Sequence, residues 1–193
     1  MNQFQAYFNT GIHHVLNIYA FHHILFIAVL CAIYLLRDWK KLLVLATGFT
    51  VGHLIALGIA ILNLFSISNN LVNFLIPILI LITAFFNILK PRPSSGNSIQ
   101  ANYVFALFYG LIHALGYSNY LRGKFGSGTA IIEPMLGFNL GVEVGQLAVV
   151  GILILLSSIL IGLLGVNRKE WALVLSSLVM GMAIMMVLDA RYW

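Results

Sequence analysis

The chain has 193 residues, of which 61% are hydrophobic and 8% charged, with a net charge of +5 and a mean hydropathy of +1.00. Those values exclude a soluble domain. A bilayer crossing needs roughly 20 apolar residues, so about six spans use up the length and leave none for a separate soluble unit.

The first residues, "MNQFQAYFNTGIHH", lack the basic start, short apolar core and small-residue cleavage site of a signal peptide, and the N-terminus is read as retained. Four of the six histidines follow within "GIHHVLNIYAFHHILF". Apolar runs and their punctuation then predict six helices near residues 20–36, 42–65, 71–89, 101–121, 134–164 and 171–189. The first carries the chain's single cysteine, Cys31, where a small buried hydrophobe is expected and no disulfide framework can form. The fifth is long enough to require a tilt or a break.

Arg37, Lys40 and Lys41 lie in the first connection, Lys90 and Arg92 in the third, and Arg168 and Lys169 in the fifth. These are the basic loops, so the positive-inside rule puts them in the cytoplasm and both termini on the outer side. The same rule accounts for the net charge, and no nucleic-acid partner is expected. The Pro/Ser/Gly-rich linker at residues 90–100 divides a single polytopic domain, residues 1–193, into two three-helix halves. No convincing repeat relates the halves, although "FTVGH" and "YGLIH" each set a histidine after a glycine.

Ionisable residues inside a bilayer are costly and usually face a bundle interior or a wet cavity. His53, His113 and Glu143 fall on three different spans and, at roughly 1.5 Å per residue, near the midplane or slightly outside it. His22 and His23 enter from the outer end of the first span. Neutral imidazole binds zinc, nickel, copper and iron(II), and a carboxylate adds charge compensation, so the residue types fit a transition-metal site. Gln146 shares a helix face with Glu143, and Asn139 is a further polar neighbour. Adjacent histidines point about 100° apart around a helix, so one of each pair is expected to face the site. For each histidine alone the plainer role is a hydrogen bond between helices, and for His13 and His22 an interfacial position is preferred to ligation. Asp189 is expected at the outer surface or paired with Arg191.

The ordered segments "GIHHVLNIYAFHHILF", "GFTVGHLIAL", "FYGLIHALGYSNYL" and "GFNLGVEVGQL" resemble the HupE/UreJ family of bacterial membrane proteins over nearly the whole chain. Members are named as hydrogenase and urease accessory proteins. The resemblance implies a small multi-pass protein of the bacterial inner membrane that carries nickel or a related metal, with maturation partners and a homo-oligomer left open. Matched to the family's motifs, His14, His23, His53 and His113 are the metal-binding histidines, and Asn139, Glu143 and Gln146 form the last motif. The acid of the first motif falls on His22, and a further acid on Asn17, which lowers the negative charge of the site and shifts preference toward softer, imidazole-binding metals.

The leading function is therefore transport or delivery of nickel, cobalt or a related divalent metal through His14, His23, His53, His113, Glu143 and Gln146. Nickel, zinc, cobalt, copper and iron are not distinguished. The alternative is an intramembrane metalloenzyme, hydrolase or oxidoreductase, with a retained metal and Glu143 as general base. An inverted repeat would favour the transporter, and a catalytic signature such as HExxH would favour the enzyme; neither is visible in the sequence.

Overall fold

The computed structural model describes residues 2–62, 67–90, 97–125 and 132–190. Arg92, Arg191 and most of the 90–100 linker lie outside the described residues. Seven α-helices and no strand occur among the described residues: α1 (Gln3–Leu16), α2 (His22–Cys31), α3 (Trp39–Ile61), α4 (Asn69–Leu89), α5 (Asn97–Phe125), α6 (Ile132–Ser158) and α7 (Arg168–Asp189). Helix is the expected form, because lipid offers backbone groups no other partner. Four segments are long and apolar enough to cross a membrane: Leu36–Ala60, Asn69–Leu89, Ile132–Leu163 and Arg168–Asp189. His22–Cys31 and Asn102–Gly116 are shorter apolar helices.

The N-terminal stretch is the largest departure from the sequence-based elements. It forms a helix, α1, that ends at Asn17, whose backbone is extended and whose side chain accepts a 3.0 Å hydrogen bond from the Tyr19 amide to cap a short 3-10 turn. α2 resumes at His22. Phe4, Phe8 and Ile12 of α1 lie against Gly137, Gly141 and Gly145 of α6, while Phe26, Ile27 and Leu30 of α2 share a small cavity with Gln146 and Val150 farther along α6. α1 and α2 thus follow α6 in the same direction as two pieces of an interrupted segment, broken at residues 17–21. The long fifth apolar run is continuous with a single π-helical turn, Ile159–Leu163, and Gly165 at φ 69° turns the chain toward α7, which is capped by Asn167. Arg122 and Lys124 fall in the last turns of α5.

Two crossings organise the bundle. α3 and α5 meet where Gly52 lies on the Leu107 carbonyl and Gly110 on the Phe49 carbonyl, with Gly48 against the Tyr103 ring. α1 and α6 meet where Gly141 lies on the Phe8 carbonyl and Gly11 on the Phe138 carbonyl, with Gly137 against Phe4. In each pair the contacts advance together along both chains, so each pair is parallel. Small residues at such crossings let backbones touch, the main source of helix affinity in lipid.

The two crossings repeat each other residue for residue. Phe8, Gly11 and His14 of α1 stand where Leu107, Gly110 and His113 of α5 stand, and Gly137, Phe138 and Gly141 of α6 stand where Gly48, Phe49 and Gly52 of α3 stand. α3 and α6 run in opposite directions, since Thr47 meets Glu143 while His53 meets Asn139. α1 is therefore antiparallel to α5, and the two halves form an inverted repeat, each lending one helix to the other's crossing. α4 packs on α7 between the halves. At the far end Asp38 bonds Lys41 at 2.9 Å and lies 3.8 Å from Arg168, whose guanidinium also donates to the Ile33 carbonyl at 2.8 Å. Both described ends of the chain lie at the opposite end, where Glu133 accepts from the Phe4 amide and Asp189 shares a cavity with Asn73 of α4.

Candidate metal centre

His14 follows Gly11 by three residues on α1, and His113 follows Gly110 by three on α5. The repeat makes these two histidines equivalent, and they meet: their Nε2 atoms are 3.3 Å apart. α2 supplies His23, whose Nε2 is 2.9 Å from that of His113. One nitrogen from each of the three lies within 4.8 Å of the others, the one such grouping of potential ligands among the described residues. A tetrahedral ion with Zn–N bonds of roughly 2.0–2.1 Å has ligand edges of about 3.3–3.4 Å. The observed 2.9 and 3.3 Å separations approach that figure. Nε2 of three imidazoles is thus a fitting donor set for a borderline divalent metal.

His53 stands behind this group, fully buried, with its ring 5.9 Å from that of His113. Asn139 donates from Nδ2 to the Met135 carbonyl at 2.8 Å, which leaves its Oδ1 as acceptor for His53 Nδ1 at 2.9 Å. His53 therefore carries its proton on Nδ1, and its Nε2, buried without a protein partner, presents a lone pair. That is the geometry by which an outer carboxamide fixes the tautomer of a metal-binding histidine. His113 Nδ1 is likewise buried without a protein partner.

An aromatic floor holds the rings. Tyr109 is stacked on Phe26 at 3.6 Å and lies parallel to His113 at 6.2 Å, while its hydroxyl donates to the His22 carbonyl at 3.3 Å. Phe138 packs on both His14 and His53, and Phe49 on His53 and His113. These aromatic residues carry no metal-ligand signal in the sequence; only their position one to four residues from the glycines and histidines of the crossings could have marked them.

Other expected residues lie elsewhere. Glu143 accepts a 3.0 Å hydrogen bond from the Thr47 hydroxyl at the seam of α3 and α6, outside the three-histidine group. Gln146 lines the cavity beneath Phe26 and Phe49, its Oε1 buried without a protein partner. The reason is axial: from Asn139, Glu143 is about 6 Å and Gln146 about 10 Å farther along α6 at 1.5 Å per residue. His13 is exposed, whereas His22, expected at the interface, has its ring 5.1 Å from His113 and a buried Nε2. The interrupted chain turns His22 back toward the bundle. On its open side the centre meets a cavity of about 370 Å³ bordered by Asn17, His22, Asn69 and Asn73.

A comparison with curated proteins finds no match, and neither does a comparison with solved structures. A family model described as "HupE / UreJ protein" matches residues 1–192. With apolar helices of spanning length and a buried histidine group that could hold a metal ion, this match covers the chain that the sequence motifs had outlined, and the protein belongs to the HupE/UreJ family.

Proposed function

We propose that the protein is a multi-pass inner-membrane permease that moves a divalent transition-metal ion through the centre formed by His14, His23 and His113, with His53 as a further ligand. In this reading the interrupted α1–α2 segment and α5 join the four long apolar helices as membrane passes, and the basic loops face the cytoplasm. The observation that carries it is the meeting of His14 and His113 at equivalent positions of an inverted repeat. Inverted repeats with discontinuous segments at their interface are the architecture in which one central site is exposed alternately to each side. The break at residues 17–21 stands next to the ligands, as that architecture requires.

Three neutral imidazoles without a carboxylate favour nickel, zinc, copper or iron(II) over hard cations. The same donor set weighs against a hydrolytic enzyme, since Glu143, the expected general base, is engaged by Thr47 away from the three Nε2 atoms. The decisive experiment is metal uptake by proteoliposomes loaded with an indicator dye, with binding measured in parallel on the purified protein. Wild type is expected to bind metal tightly but reversibly and to admit it, while His113→Ala and His23→Ala lose the tight binding and the uptake. Metal that stays bound through chelation, with no uptake, would overturn transport in favour of a resident cofactor.

A further inference from the structure

We propose a second cation subsite at the mouth of the centre, formed by Asp189, Asn73 and His22, which captures a divalent transition-metal ion before it reaches the three histidines. The inference deepens the metal-permease reading and rests on it. A second cavity, of about 320 Å³, is lined by Phe21, His22, Asn73, Met186 and Asp189. It shares His22, Asn73 and Ile76 with the cavity that touches His14 and His113. The two spaces therefore adjoin at His22 and Asn73, and on this reading they form the path from the last turn of α7 to the histidine centre.

The chemistry along that path is graded. Among the described residues, Asp189 is the one acidic residue lining either space, and it is exposed. Beyond it stand the carboxamides of Asn73, Asn69 and Asn17, and then imidazoles. His22 Nε2 is buried without a protein partner at the junction, so a nitrogen donor is available there in addition to the carboxylate and carboxamide oxygens. Asp189 also sits in the last turn of α7, where the negative end of the helix dipole makes a carboxylate a poor choice for the helix but reinforces attraction for a cation. The available space suits a partly hydrated ion: six waters occupy roughly 180 Å³ at about 30 Å³ each. Oxygen donors at the mouth and nitrogen donors inside would exchange the hydration shell in steps.

Cobalt(II) is the probe, because its visible absorption reports the ligand field. Purified wild type is expected to bind two ions with separable affinities. Asp189→Asn should lose the weaker event and slow cobalt association at low ionic strength by about tenfold or more, while the tight event remains; Asp189→Glu should restore both. Asn73→Leu, which leaves the charge unchanged, should also lose the weaker event, and His113→Ala should lose only the tight one. If Asp189→Asn matches wild type in stoichiometry and rate, or if Asn73→Leu keeps the weaker event, the subsite is refuted while the histidine centre stands. If wild type binds no cobalt at all, the subsite and the permease reading fall together.

Discussion

Asn139 shows how much one carboxamide decides. Its bond to the Met135 carbonyl fixes which of its ends faces His53, and so which imidazole nitrogen keeps a lone pair without a protein partner. Asn139→Leu should weaken metal binding by roughly 10–100-fold, the usual cost of removing an outer partner of a metal-binding histidine, as read by competition titration with a chelating dye. Glu143→Gln should leave the affinity within about twofold, because a carboxamide oxygen still accepts from Thr47 and the carboxylate is outside the three-histidine group. A larger loss would return Glu143 to the site. At this scale angular separation on a helix required only that one of each adjacent histidine pair face the site; the family resemblance singled out His14 and His23, and His13 is exposed. The separation of Glu143 and Gln146 from the centre was not legible, because sharing a helix face says nothing about which turn meets the neighbouring ligand.

Among elements, the crossing glycines carry the architecture. An added methyl at Gly52 or Gly141 would strike a backbone carbonyl of the partner helix, whereas at Gly58 it would meet nothing within 4 Å. Gly52→Ala and Gly141→Ala should each destabilise the protein by about 1–3 kcal/mol, the cost of overpacking, and Gly58→Ala should be neutral; thermal unfolding in detergent separates the cases. α3, α4, α6 and α7 were legible from hydropathy because each is one long apolar run. α1 was not: "QFQAYFNTGIHHVL" is too short and too polar to announce a span, and becomes part of the bundle only through its glycine contact with α6.

For the whole molecule, the inverted repeat and the distribution of charge make a joint prediction about orientation. The Lys41–Asp38–Arg168 cluster marks one end, and the described ends of the chain mark the other. In a Cys31→Ala background, single cysteines replacing Lys40 and Lys169 should be shielded from a membrane-impermeant maleimide in intact cells, and cysteines replacing Asn70 and Glu133 should react. Labelling of Lys40 from outside would invert the orientation and with it the side on which the Asp189 mouth opens.

Composition and hydropathy alone determined that this is a helical membrane protein, where its long spans run, and which scarce ionisable side chains face a cost in lipid that only a partner can offset. Those properties are local: each is a sum over neighbouring residues. The pairing of α1 with α6 and of α5 with α3 was decided only by tertiary structure, because it depends on backbones approaching at glycines far apart in the chain, in registers that no single helix encodes. The same packing hid the repeat from the sequence, since its two copies share little beyond a Gly-Phe-x-x-Gly stretch and a histidine three residues after a glycine. Folding makes them equivalent by bringing His14 and His113 together at the centre.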